Sequence, residues 1–315
     1  LQIIDDVGLP PPVLAALDRS ESEEIPEQYD FRATALLEAP QILQLKRLHR
    51  NEIKAEASTM LWAIFGKGIH MVFELAGSPD GEWLREARIY QELDGVIVTG
   101  QMDLRKLEND LLQIIDYKFT SAYGLADKIQ KWTQQLNVYA WLLRRETKQE
   151  VGSVAVLGLF RDWNKLQASR NKDYPQKAFM LIELPIWPQE QTEAFLRERI
   201  RLHIEGWAMA ELGLFQNCTD TERWVEKRWI IRKPGAQKIF RSAQSQQEAE
   251  EWVKGQKSSG QFQIIPTRSA PRRCVGNWCR VAEWCPQWKR EQEFKEKQKE
   301  NGDNARKIFE LDDDD

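Results

Sequence analysis

The period of the apolar positions changes several times along the chain, and each change marks an element. Helical three-and-four spacing begins near Ala33 and again near Ser58. There Leu61, Ile64, Phe65, Ile69, Val72 and Phe73 read as a largely buried helix. Three strand-like runs follow at 82–92, 95–104 and 111–119, the last carrying Leu112, Ile114 and Ile115. A long helix is predicted over about 126–145, with Ile129, Trp132, Leu136, Tyr139 and Leu143 on one face. Strands at 153–160 and 178–184 and a helix over 189–212 complete the regular part. The order is helix, three strands, helix, two strands, helix. It predicts an α/β core with a mixed sheet, its first three strands a meander. No internal repeat is found.

The flanks read differently. Residues 1–30, with Pro10-Pro11-Pro12 and an acidic stretch, are expected to form an arm with at most a short helix. After Gly213 the sequence becomes rich in Trp, Arg and Lys. A hairpin around Pro234-Gly235 and a short helix over 245–253 are predicted there, and the charged stretch 289–299 reads as a solvated helix. The expected division is an acidic arm (1–30), a core (31–212), a basic Trp-rich module (213–290) and a charged tail (291–315).

Composition alters this picture through its distribution. The chain has 315 residues, 42% hydrophobic and 30% charged, with a mean hydropathy of −0.60, which excludes a membrane protein, a collagen-like chain and a wholly disordered one. No run approaches the roughly 18 apolar residues of a membrane span, and no basic-then-apolar leader opens the sequence, which begins at Leu1. The cytoplasm is the expected compartment, with no membrane partner. A net charge of −4 with pI near 5.7 argues, as a single number, against a nucleic-acid partner. By segment, residues 1–30 carry −7, 31–222 carry −2, 223–290 carry +10 and 291–315 carry −5. A basic block beside acidic ends predicts a polyanion-binding surface with solvated tails.

The candidate chemistry lies on the meander. Asp103 closes one strand, and Asp116 and Lys118 lie two positions apart on the next, so they project from one face. If these strands pair as a hairpin, Asp103 sits beside Asp116. Two converging carboxylates call for a cation, and Mg²⁺ or Mn²⁺ is the natural occupant. Lys118 then holds an attacking water or stabilises a pentavalent phosphate. Taken alone, a D-x-K is more often an ordinary ion pair.

Its surroundings change that weighing. Gly66-Lys67-Gly68-Ile69-His70, Gly100-Gln101-Met102-Asp103, Ile114-Ile115-Asp116-Tyr117-Lys118 and Gln135-Leu136-Asn137-Val138-Tyr139 follow one another in order. This set, G-x-x-x-H, G-x-x-D, D-x-K and Q-x-x-x-Y, resembles the RecB-like branch of the PD-(D/E)xK nuclease superfamily over roughly residues 31–212. The resemblance implies a restriction-endonuclease-like core, with His70, Asp103, Asp116 and the Tyr117 carbonyl as metal ligands. It also implies that Gln135 and Tyr139, one helical turn apart, border the site and position DNA or Lys118. A lone histidine on an apolar helix face is usually a core residue; only the motif makes His70 a ligand. His49 and His203 lack such context and are expected at the surface, and Glu74 at a solvated helix end.

Cys274-x4-Cys279-x5-Cys285 is a tight cluster, with Cys218 a fourth thiol 56 residues earlier. Four thiolates suit tetrahedral Zn²⁺ or an iron–sulfur cluster, and the absence of a C-x2-C knuckle lowers the zinc reading. Some RecB-like nucleases, including AddB proteins and CRISPR-associated adaptation nucleases, hold a [4Fe–4S] cluster by one distant and three clustered C-terminal cysteines. This sequence resembles them, with two departures: its distant cysteine follows the nuclease motifs, and its first spacing is x4 rather than x2. A structural [4Fe–4S] cluster is expected, with structural zinc the alternative. In the same module Arg228, Arg232, Lys233, Arg272 and Arg273 are candidate DNA contacts. Six of thirteen tryptophans lie there, read mostly as a small core around the metal. By resemblance the expectation is a metal-dependent DNA nuclease, an exonuclease on single strands or ends. It would serve recombination, repair or phage DNA processing in a bacterial or phage-infected cell. The alternative is a DNA-end-binding subunit, silent alone, of a helicase or recombinase complex, with a single-strand-binding protein a further partner.

Overall fold

A computed structural model describes residues 2–21, 30–78, 81–236, 238–256, 259–276 and 278–297. Two compact units emerge, one of residues 1–38 and 51–208, the other of residues 39–50 and 209–315.

In chain order the first unit opens with β1 (Gln2–Ile4), α1 (Pro11–Glu21), β2 (Phe31–Arg32) and α2 (Ala33–Leu36). After α3 (Pro40–Leu48), which belongs to the second unit, come β3 (Lys54–Glu56) and α4 (Leu61–Ala76). Then follow β4 (Leu84–Leu93), β5 (Val96–Glu108), β6 (Leu111–Thr120), α5 (Leu125–Thr147) and β7 (Val151–Phe160). The unit closes with α6 (Lys165–Arg170), β8 (Phe179–Leu184) and α7 (Gln189–Glu211). The central sheet runs β2-β5-β6-β7-β8, with β4 on the other edge of β5. Strands β4, β5 and β6 form the expected antiparallel meander, β6 and β7 are parallel, and β7 and β8 antiparallel. Helix α5 makes the crossover that a parallel pair requires. Its Trp132, Leu136, Tyr139 and Leu143 enter the main core with Val154 and Val156 of β7, as the periodicity predicts.

Two turns set the register of the meander. Asp94-Gly95 joins Leu93 to Val96, and Asn109-Asp110 joins Glu108 to Leu111; all four turn residues have positive φ. Two-residue hairpin turns demand that conformation, and Asp, Asn and Gly tolerate it. From Glu108↔Leu111 the β5–β6 ladder runs to Leu104↔Ile115. The ladder stops one residue short of Asp103 and Asp116.

The second unit contains α3, a loop carrying Cys218, and a three-stranded antiparallel sheet ordered β10 (Ile239–Ala243), β9 (Lys227–Arg232), β11 (Gln263–Arg268). The predicted hairpin turns at Gly235, φ 73°, and α8 (Gln246–Lys254) is capped by Ser245 as expected. Then come α9 (Arg272–Val275) and a helix of residues 286–297.

Several expectations are corrected. Part of the acidic arm is folded: β1 pairs with β3, and Leu17 of α1, 2% exposed, packs with Ala57 and Met60. The rest of that stretch, 22–29, lies outside the described residues, as do 298–299 and the remaining tail. Helix α4 is not buried; Trp62, Phe65, Met71, Val72 and Leu75 are exposed, and it is covered by Ile64 packing on the Leu17 cluster and by ring contacts to Tyr117 and Phe119. His203 is fully buried against the Leu36 carbonyl, and His49 stacks on Trp284 at 4.5 Å. Residues 39–50 group with residues 209–315 and not with the rest of 31–212. Trp229 and Trp252 pack on Ile231, Ala243 and Ala249 over the small sheet, not around the thiols, and Trp224 and Trp278 are exposed. Among the described residues no helix is long and apolar enough to cross a membrane.

Candidate active site

Strand β5 changes partner along one edge. It pairs with β2 at Val98–Thr99 and with β6 from Leu104 onward, leaving Gly100–Asp103 between them. At this opening the Asp103 carboxylate replaces the backbone ladder and accepts the Tyr117 N–H at 2.6 Å. A side chain thus satisfies a donor that the splayed strands would strand. Gly100 is required here: a Cβ would lie 2.7 Å from Leu142 Cδ1 and 2.8 Å from the Tyr139 ring. Gly66 of the first motif has open space about its Cα, so packing explains one motif glycine and not the other.

Alternation along β6 sends Asp116 toward α5 and Tyr117 toward α4. Asp116, 3% exposed, meets Gln135 Nε2 at 3.1 Å and Lys118 Nζ at 2.5 Å. The same Gln135 amide donates to Tyr139 Oη at 3.0 Å, so the Q-x-x-x-Y pair acts as a brace. On the α4 side Tyr117 is contacted edge-on by Phe73 and by His70. His70 Nδ1 lies 3.2 Å from Asp103 Oδ1. The structure therefore brings His70, Asp103, Asp116, Tyr117, Lys118, Gln135 and Tyr139 together.

Electrostatics follow from burial. It pushes the Asp116 carboxyl up, opposed by the Lys118 ammonium and reinforced by Asp103. The hydrogen bond to Asp103 raises His70. Burial also pushes the Tyr139 phenol up, so it stays protonated and can accept from Gln135 without acquiring charge. Opening beside His70 and Asp103 is a cleft lined further by Arg32, Lys67, Arg88 and Gln101. Arg88 is held by Gln101 at 2.7 Å. These three cations were not singled out from sequence; they come from β2, α4 and β4, and only the sheet gathers them.

In the second unit, Cys218, Cys274, Cys279 and Cys285 line one cavity with Gln41, Ile42, Leu45, Arg223 and Arg273. Burial pushes the Cys218, Cys279 and Cys285 thiols up. Among the described residues no three Asp, Glu, His or Cys side chains close around a point as a formed metal centre. Of the candidate DNA contacts, Arg228 and Arg272 both pair with Glu226 at 2.5 Å, and Arg273 reaches the Glu222 carbonyl and the Trp224 ring. Lys233 is exposed, 5.9 Å from the Phe240 ring centroid, and Arg232 is partly buried.

The chain belongs to the PD-(D/E)XK nuclease superfamily, whose family model matches residues 13–286. No curated protein matches. Among solved structures, SSO0001 is similar at 16% identity over 60% of this chain and 84% of its own, with a TM-score of 0.43. An Eubacterium rectale protein provisionally named an exonuclease shares 11% identity over 62% of this chain and 71% of its own, with a TM-score of 0.27.

Proposed function

We propose that this nuclease is a divalent-metal-dependent deoxyribonuclease of the RecB-like branch, acting as an exonuclease on single strands or DNA ends. The observation that carries the reading is the opening in β5, where Asp103, Asp116, His70 and Lys118 converge. The donor set of two carboxylates, an imidazole and the Tyr117 carbonyl suits Mg²⁺ or Mn²⁺. Such a cation, when bound, supplies Lewis acidity toward the phosphodiester and a more acidic water. The chain supplies the rest. Lys118, held by Asp116, orients the attacking water and offsets charge on the phosphate oxygens as a P–O bond breaks. Gln135 and Tyr139 hold Asp116 in place. Arg32, Lys67 and Arg88 give the cleft the positive charge that a phosphate backbone requires.

Preference for unpaired strands is supported by a ring cluster around Phe119, on the α4 face of β6. Trp62 and Phe65, each about half exposed, lie 6.3 and 6.1 Å from Phe119, with the Arg161 guanidinium 4.3 Å from the Trp62 ring. Aromatic faces with a nearby cation suit unpaired bases. In the second unit the four thiols, with two guanidinium groups on the same cavity, suit a structural [4Fe–4S] cluster, zinc being the alternative. Cys218, Cys274, Cys279 and Cys285 would hold it, fastening α3 to the C-terminal segments.

The test is cleavage of linear and circular single-stranded, duplex and tailed DNA by the purified full chain with Mg²⁺ or Mn²⁺. Linear single strands and tails are expected to be shortened and circles spared. Asp116→Asn and Lys118→Gln should each lower the rate roughly a hundred- to a thousandfold while leaving circular dichroism and DNA affinity intact. Wild-type activity in purified Lys118→Gln rejects the mechanism. Binding without cleavage under either metal favours an end-binding subunit that works with a helicase or recombinase.

A further inference from the structure

The four-thiol cavity has a fifth polar neighbour that no cysteine spacing reveals. Gln41, on α3, is 1% exposed. Its Oε1 accepts from Cys218 Sγ at 3.3 Å and from Cys285 Sγ at 3.7 Å, 177 and 244 residues further along the chain. Its Nε2 is buried and has no hydrogen-bond partner among the described residues. Buried amides are seldom left half satisfied, and each such group calls for an explanation.

The protonation state of the sulfurs provides one. Protonated thiols donate, so the carbonyl end of Gln41 faces them. Metal-bound cysteines are thiolates, which only accept. Toward those, Oε1 would be repelled and the NH₂ end would match. A half-turn of the terminal amide exchanges the two ends within almost the same shape. Glutamine therefore fits both the thiol and thiolate forms of the cavity, which neither an apolar side chain nor a carboxylate can do. The charges nearby leave this role open. Arg223 is committed to Glu291, with two bonds of 2.6 Å, and also bonds Cys274. Cys285 Sγ accepts the Trp288 N–H at 3.4 Å. Gln41 is the side chain that reaches both Cys218 and Cys285.

We propose that Gln41 is a positioning residue of the four-cysteine metal site, donating from Nε2 to metal-bound Cys218 and Cys285. This rests on the reading that the thiols hold a cluster or zinc. Donors to ligand sulfurs stabilise the more negative, reduced state of an iron–sulfur centre and slow its loss.

The experiment compares wild type, Gln41→Met, Gln41→Glu and Gln44→Met as full chains, purified without oxygen and reconstituted with iron and sulfide or with zinc. Gln44 is the control, equally buried on α3 but absent from the cavity lining. Readouts are iron, sulfide and zinc content, the midpoint of an EPR-monitored redox titration, and the rate of metal loss in air or to a chelator. Gln41→Met, which keeps the volume without the donors, should show a more negative midpoint and severalfold faster loss of iron. If zinc is the occupant, zinc transfer to the chelator should accelerate likewise. Gln41→Glu should be worse, and Gln44→Met should match wild type. Loaded Gln41 variants indistinguishable from wild type overturn the inference alone, as does an equal effect in Gln44→Met. A wild-type chain that retains neither iron nor zinc overturns the metal reading and the inference together.

Discussion

Gly100 shows how one residue can serve packing and chemistry at once. Its missing Cβ admits Leu142 and Tyr139 of α5, and Tyr139 is the far anchor of the Gln135 brace on Asp116. Gly100→Ala would drive a methyl into two packed side chains. We expect a loss of about 1–3 kcal/mol in urea unfolding. The same change should lower kcat for DNA more than it raises KM, because Asp116 shifts while the cleft remains. The motif G-x-x-D marked Gly100 in the sequence, but only the approach of α5 explains it. For Asp116 and Lys118 the reverse holds: their shared face was legible from alternation alone. Arg32, Lys67 and Arg88 were not, since isolated basic residues on three elements give no signal until the sheet assembles them.

At the scale of elements, α7 and α2 depend on one another. α2 has only four residues, and α7 satisfies the carbonyls at its end: Arg199 donates to Leu36 and Glu38 at 2.6 Å, and His203 bonds Leu36 at 3.2 Å. Burial holds the His203 ring neutral, pushed down to about 4 from its ordinary 6.5. The unfolded chain takes up a proton here as pH falls below 6.5, whereas the fold resists until about 4. The contribution is therefore full above pH 6.5 and lost progressively down to pH 4. It should make the protein about 2 kcal/mol less stable at pH 5 than at pH 7, and His203→Gln should flatten that part of the slope in urea titrations. An equal slope in the variant would assign the acid sensitivity elsewhere. The expectation of a surface histidine failed because tertiary burial is invisible to a residue with no local motif. Helix α4 failed in the opposite sense. Its apolar spacing was read correctly as a helix, but periodicity cannot tell a core face from one that borders an open site.

For the whole molecule, charge is organised rather than averaged. The +10 of residues 223–290 is partly spent internally: Glu226 holds Arg228 and Arg272, and Asp220 holds Lys227 and Arg268. Exposed pairs of this kind are worth little individually and exchange readily for phosphates. Lys233→Ala and Arg272→Ala should each weaken DNA binding about equally across sequences, and reduce the slope of log K against log salt by about 1. Unchanged slopes would remove these two residues from the interface. The cysteine module follows the same logic at longer range, since α3 enters it from within the stretch that composition assigns to the core.

The sequence by itself determined the main elements from α4 to α7 in their order (the short α6 apart), the meander, the ordered motifs from His70 to Tyr139 and the four thiols. All of these are local patterns or spacings, which the chain carries before it folds. The hairpin residues Asp94-Gly95 and Asn109-Asp110 carry the register as well, because two-residue turns admit few conformations. The tertiary structure alone decided three things. It opened β5 so that Asp103 reaches Tyr117, gathered Arg32, Lys67 and Arg88 at the cleft, and brought Gln41 to Cys218 and Cys285. Each joins residues from separate elements, and their proximity is fixed by packing and strand pairing rather than by spacing along the chain.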